Sequence, residues 1–210
     1  MEITYIGLGC LRLRGRAADV LVDPPDAADA KALRAPKLDP DLIVRTEGKT
    51  DPALLREQDG RPQVVSGPGE YELRGVRITG RPAGPLTVMC VIIDDVRVVA
   101  LGRLSGQLDE DLVEALGHVD VLAVPVGGGG MLSATDAVKV VNTVEPFIVV
   151  PTFFRVGAHA SQLEPIERFA KEIGLPEGWA PQPKLTLTGS SGSVEETRVV
   201  VLEPRIAATS

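Results

Sequence analysis

Aromatic residues are scarce in this chain: four Phe, two Tyr and one Trp among 210 residues, or 3%. The core must therefore be built from Val, Leu, Ile and Ala, and the hydrophobic share of 44% marks a folded chain rather than a disordered one. Cysteine is rarer still. Cys10 and Cys90 each sit among apolar neighbours, which reads as buried free thiols ahead of a disulfide or a nucleophile. The two histidines, His118 and His159, lack a second His, Cys or acid at ligand spacing, so the spacing offers no histidine-based metal motif. No apolar run is long enough to span a membrane. The opening Met-Glu-Ile-Thr-Tyr-Ile alternates at once, with no room for a secretory segment, so the expected location is the cytoplasm. Basic residues are outnumbered, 22 Lys and Arg against 29 Asp and Glu, giving a net charge of -7. With no basic stripe and interleaved aromatics to follow a phosphate backbone, nucleic acid is not an expected partner, and neither is a membrane.

What is present reads as one domain over residues 1–210, a length that can bury a substantial core. "EITYI", "CLRLR" and "DVLVD" alternate like three strands of a meander. "DLIVRT" is a short apolar run fitting a buried strand, and "DPALLRE" is a helix start with Pro52 early and an acid before it. "LTVMCVIIDDVRVVALG" predicts two strands joined in a hairpin at Asp94-Asp95. Helices are then predicted at "DEDLVEALGHV", at "SATDAVKVVNTV" with Ser133 as N-cap, and at "SQLEPIERFAKEIG", alternating with strands "DVLAVPV" and "PFIVV". "KLTLTG" and "TRVVVLEP" follow as two more strands. Such alternation predicts a layered α/β architecture.

Three loops hold candidate chemistry. "GLGCLR" from Gly7 begins like a dinucleotide-binding turn but lacks the third glycine and continues as a strand, so that reading is rejected. "VGGGGM", from Val126 to Met131, lies between a buried strand and a capped helix, where backbone N–H groups can face an anion, but a flexible turn is the favoured reading. "RTEGKTDP", from Arg45 to Pro52, places Glu47, Lys49 and Asp51 directly behind a buried strand.

The succession of "EITYIGLGC", "VLVDPPD", "PDLIVRTEGKTDP", "GPGEYE", "LGHVDVLAVPVGG" and "EPFIVVP" resembles the metallo-β-lactamase-fold superfamily, and within it the L-ascorbate-6-phosphate lactonase-like branch. The resemblance covers nearly the whole chain and implies an αβ/βα sandwich of two mixed β-sheets flanked by helices, with a site at one rim. It also implies a zinc or manganese centre held by a Thr/Ser-His-x-His-x-Asp-His loop. Here the three histidine positions are Glu47, Lys49 and Pro52, and only Asp51 matches. The family's Gly-His turn is Gly7-Leu8, its bridging aspartate is Arg103, and its Pro-Met-His turn is Pro151-Thr152-Phe153.

From this comparison the sequence is expected to bind no metal and to have no cofactor, because Lys49 and Arg103 put positive charge where the cation belongs and would neutralise Glu47 and Asp51. The leading expectation is a catalytically inactive scaffold, a pseudoenzyme with a binding, assembly or regulatory role, in a homo-oligomer or with a small anionic ligand. Two alternatives stand beside it. One is a hydrolase of a small phosphorylated or lactone substrate with a rebuilt site, using Glu47, Asp51 or Glu70 as acid or base and Lys49, Arg103 or Arg155 against developing charge. The other is an anion-binding module using Gly128, Gly129 and Arg103. Phe153, Arg155 and His159 complete the candidate ligand-binding set, and His159 lies in a loop able to cover a pocket.

Overall fold

The computed structural model describes residues 1–25, 36–47, 62–156, 160, 162–189 and 196–206. Two sheets face each other. Among the described residues the first has six strands and the second seven. In the first, β1 (Glu2–Gly7), β2 (Cys10–Arg14) and β3 (Asp19–Val22) form an antiparallel meander, and β4 (Leu42–Arg45) and β5 (Gln63–Ser66) continue it in parallel. The "GLG" turn is thus a hairpin connection with no helix behind it, as the alternation of "CLRLR" requires.

The second sheet runs antiparallel through β6 (Gly69–Leu73), β7 (Val76–Ala83), β8 (Leu86–Ile93) and β9 (Val96–Ala100), then parallel through β10 (Val121–Pro125) and β11 (Ile148–Thr152). Asp94 and Asp95, at φ 52 and 64, make the β8–β9 connection. Two consecutive left-handed residues are what a two-residue hairpin of matching twist needs. β10 and β11 are buried at every position, as parallel strands covered on both faces are.

Helices α1 (Glu110–Leu116), α2 (Ala134–Val144) and α3 (Ile166–Glu172) accompany the second sheet. The buried positions of α2, among them Ala137, Val140, Val141 and Val144, recur at helical spacing and form one apolar face, and Ser133 caps its start by accepting from the Asp136 N–H. α3 is shorter than "SQLEPIERFAKEIG" predicts. It begins at Ile166 after Pro165, which has no side-chain cap. The last two strands are also short, β12 (Leu185–Thr186) and β13 (Arg198–Val199), each pairing over two residues with β1 and β11. The predicted helix at "DPALLRE" lies outside the described residues.

Between the sheets, Ile3, Tyr5, Leu11 and Leu13 of the first and Ile78 and Met89 of the second are fully buried. The aromatic-poor core is therefore filled by aliphatic side chains, with Tyr5 the largest buried exception. Cys10 and Cys90 are free and buried, and burial pushes both thiols up, Cys10 with a contribution from the Asp23 carboxylate. No helix among the described residues is long and apolar enough to cross a membrane.

Candidate functional site

Five connections leave their strands at one rim: Leu8 after β1, Asp23 after β3, Thr46-Glu47 after β4, Gly102-Arg103 after β9 and Phe153 after β11. Arg103 Nε lies 3.2 Å from Glu47 Oε1, and the Arg103 guanidinium carbon stands 4.9 Å from the centroid of the Phe153 ring. Glu47 from the first sheet, Arg103 from the second and an aromatic platform therefore meet at one point. The side chains of Arg103 and Glu47 are 49% and 39% exposed, so solvent reaches both ends of the pair. An ion pair this wet contributes roughly 0 to 1 kcal/mol to stability, which makes it a poor reason to bring the two loops together.

The platform is held in a strained frame. Leu8, Asp23 and Phe153 are non-glycine residues at φ 54, 45 and 51. Left-handed backbone at such residues costs about 1 to 3 kcal/mol each, and it persists where surrounding contacts over-determine it. Those contacts are present. The Leu8 carbonyl accepts from the Phe153 N–H and from the Tyr5 hydroxyl, both at 2.7 Å. The Asp23 N–H donates to the Val44 carbonyl, while its carboxylate accepts from the Thr46 N–H at 2.7 Å and the Thr46 hydroxyl at 2.8 Å. The Thr46 carbonyl in turn accepts from the Thr87 N–H of the other sheet. Gly102, at φ +56, passes so close that a Cβ there would lie 2.1 Å from Thr46 Oγ1. Thr46 thus fixes the residue beside it, Glu47, from both sheets.

Asp23 carries its own electrostatic consequence. Burial pushes its carboxyl up to about 6 from an ordinary 3.8, opposed by the Thr46 hydrogen bonds and the Arg45 charge and reinforced by Glu47. Arg45 is itself buried, and desolvation pulls its guanidinium down against the attraction of Asp23 and Glu47. Because the folded chain holds the Asp23 proton more tightly than the unfolded chain, stability on this account is greatest below the unfolded value and falls as pH rises through about 6. The loss has an upper bound of about 3 kcal/mol, reduced because the residue keeps some solvent contact. Urea unfolding of the wild type at pH values from 4 to 7 should show this decline, and Asp23→Asn should remove it.

The remaining candidates lie elsewhere. Glu70 is on β6, 3.6 Å from Arg81. Arg155 donates from Nε to the Leu163 carbonyl at 2.8 Å, and its N–H donates to the Glu164 carbonyl. The Gly128 N–H donates to the Leu132 carbonyl, a Cβ at Gly129 would meet the Leu163 side chain at 3.1 Å, and the Glu164 carboxylate stands beside Gly128. This glycine loop is packed against the 162–164 segment. Lys49, Asp51 and His159 lie outside the described residues.

Sequence reasoning left Asp23 and Thr46 without a role. The signal was present: an acid directly behind a buried strand, and a threonine at the start of the charged loop, both at strand ends of the kind that carry ligand sites in α/β folds.

The zinc or manganese implied by the fold does not fit the described residues. At the described positions that the resemblance matches, Leu8, Arg103 and Phe153 offer no ligand atom, and Glu47, the one donor among them, faces a guanidinium at 3.2 Å, while Asp51 lies outside the described residues. Among the described residues no three His, Cys, Asp or Glu side chains are grouped so as to hold a metal ion.

The model of a β-lactamase superfamily domain matches residues 2–153. A UPF0173 metal-dependent hydrolase of Methanopyrus kandleri is 24% identical over 83% of this chain and 94% of its own length. A UPF0173 protein of Pyrococcus furiosus is 28% identical over 85% of this chain and 93% of its own. A crystal structure from Thermotoga maritima, of a protein described as a metallo-β-lactamase superfamily member, is 25% identical and superposes with a TM-score of 0.79, covering 96% of this chain and 98% of that one. The two mixed sheets flanked by helices are the expected fold. The expectation of a catalytically inactive scaffold is corrected: a relative matched along nearly its whole length carries the name of a hydrolase, and nothing at the rim shows inactivity. That expectation equated missing imidazoles with missing chemistry, whereas the rim keeps an accessible carboxylate and an accessible cation in a rigid frame.

Proposed function

This chain belongs to the β-lactamase superfamily domain family, and we propose that it is a hydrolase whose chemistry is carried by Glu47 and Arg103. The observation that carries the reading is the solvent-reachable pair at 3.2 Å, supported by both sheets and seated on Phe153. Relatives named as metal-dependent hydrolases support the reaction class. The resemblance to the lactonase-like branch supports the substrate class, a small lactone or phosphoester carrying negative charge.

For a lactone, Glu47 takes a proton from water as the water oxygen bonds to the carbonyl carbon. The carbonyl electrons move onto oxygen, where Arg103 stabilises the anion. On collapse the ring C–O bond breaks, and the proton held by Glu47 passes to the leaving alkoxide. A fixed donor aimed at developing charge is worth about 10²- to 10³-fold in rate. Phe153 keeps the guanidinium in place through a cation–π contact of about 0.5 to 1 kcal/mol.

The test is turnover of a panel of sugar lactones and nitrophenyl phosphoesters by protein treated with chelator, and again with zinc or manganese added. Turnover that survives chelation and falls about 10²-fold in Arg103→Gln, with stability changed by less than about 1 kcal/mol, supports the reading. Turnover only with added metal would move the chemistry away from the Glu47–Arg103 pair, and none under either condition would end the hydrolase proposal.

A further inference from the structure

Away from the rim, a groove of about 450 Å³ opens on the face of the first sheet that points away from the second. Four cations line it, Arg12, Arg14, Lys37 and Arg205, on a chain whose net charge is -7. The register explains the gathering. Outward-facing Glu2 and Thr4 of β1 pair across the strands with Arg14 and Arg12 of β2, so the polar side chains emerge on one face while Ile3, Leu11 and Leu13 enter the core.

Among the described residues, carboxylates offset these cations only in part: Glu2 attracts Arg14 and Arg205, and Asp19 and Glu2 attract Arg12. Glu2 in the groove is engaged by Lys184 at 2.7 Å, which brings a further positive charge with it. One carboxylate, Asp19, serves two arginines: it accepts from Arg12 Nε through both oxygens at 2.9 Å, and Arg14 Nε lies 3.5 Å away. Asp39 adds a more distant attraction on Arg12. Lys37 is exposed and has no ion pair among the described residues. Arg12 is held by its carboxylates, and the charge left facing solvent is that of Arg14 and Lys37, where an anion gains from both.

The cations are also pre-positioned. Asp19 fixes the Arg12 fork, and Arg205 Nη2 donates to the Pro183 carbonyl at 3.3 Å. Arg14, with 56% of its side chain exposed, and Lys37 face solvent and are ready for a partner. The floor is apolar: Ile6 and Leu38 line it almost wholly buried, and half-buried Pro36 leaves apolar surface within reach of a ligand. Guanidinium forks match phosphate oxygens in pairs, and an apolar floor between them accepts a ring. The volume suits one small molecule, and the chain's overall negative charge opposes an extended polyanion.

The geometry points to a second ligand site here, for a small phosphate-bearing molecule of the nucleoside diphosphate class, separate from the Glu47–Arg103 rim. The experiment is isothermal titration of the full chain with inorganic pyrophosphate and with adenosine diphosphate, using citrate as the carboxylate comparison. Both phosphates should bind at one site, adenosine diphosphate more tightly because its ring reaches the apolar floor. The exposed double variant Arg14→Gln/Lys37→Gln should weaken both by about tenfold or more. Arg103→Gln should leave them unchanged, which separates this site from the rim proposal. Loss of binding in Arg103→Gln with none in the double variant would place the anion at the rim and overturn the inference. Citrate binding as tightly as pyrophosphate, or no binding of either phosphate at millimolar concentration, would overturn it as well.

Discussion

Glu47→Gln is expected to lower kcat for the responsive substrate by about 10²- to 10⁴-fold while leaving KM and folding close to the wild type. Glutamine matches glutamate in size and keeps a carbonyl oxygen that Arg103 can approach, so the loop geometry defined by Thr46 should survive. What disappears is the group able to take a proton from water. Because the side chain is 39% exposed and its ion pair is wet, the loss cannot be assigned to unfolding, and circular dichroism with urea titration would verify that. A pure kcat effect identifies an interaction made in the transition state, whereas an effect confined to KM would make Glu47 a binding group. An unchanged rate would remove Glu47 from the chemistry altogether.

Gly102→Ala should be the more damaging substitution for the fold. Two penalties coincide at this position. The backbone is left-handed at φ +56, and the added Cβ would lie 2.1 Å from Thr46 Oγ1 and 2.6 Å from Thr46 Cβ. Neither neighbouring atom is the far end of a flexible chain, because Thr46 is branched at Cβ and its hydroxyl is bonded to Asp23. The expected loss is about 3 kcal/mol, combining backbone strain and overpacking. That corresponds to a fall in Tm of about 6 to 12 °C for a chain of this size. Gly106→Ala is the control: nothing lies within 4 Å of its added carbon and its φ is not positive, so it should stay within about 0.5 kcal/mol of the wild type. In Gly102→Ala the rim should also lose activity at temperatures where the chain is still folded, since Thr46 must yield and Glu47 moves with it. A variant as stable and active as the wild type would mean that the Thr46–Gly102 packing does not define the site.

Much of the fold was legible because side-chain alternation reports burial directly. "CLRLR" could only be a strand with Leu11 and Leu13 inward, and that same alternation disqualified the glycine turn before it as a nucleotide fingerprint. The Asp94-Asp95 hairpin and the Ser133 cap were legible for a similar reason, since each depends on two or three adjacent residues. α3 was read too long because Pro165 is compatible with an early helical position, and only the tertiary path of the chain decides that the helix begins after it. β12 and β13 were read too long because alternating polarity also describes a segment that lies beside a strand without pairing. The rim was half legible. The resemblance pointed to Glu47, Arg103 and Phe153 as positions, but their convergence depends on two sheets meeting, and no local pattern encodes that. Asp23 and Thr46 escaped notice because their contribution is to hold neighbours.

The Thr87 N–H to Thr46 carbonyl bond has a mechanical consequence. The two sheets of a sandwich can shear past one another when only apolar contacts join them, because such contacts have no preferred direction. Here a directional hydrogen bond crosses the gap at the rim, and Gly102 wedges against the same threonine. The sandwich is thereby pinned at one end, and the distance between Glu47 on one sheet and Arg103 on the other is locked to the register of the two sheets. The Thr87 amide should accordingly exchange its hydrogen only when the sheets part, so its exchange rate measures how often the rim comes unpinned.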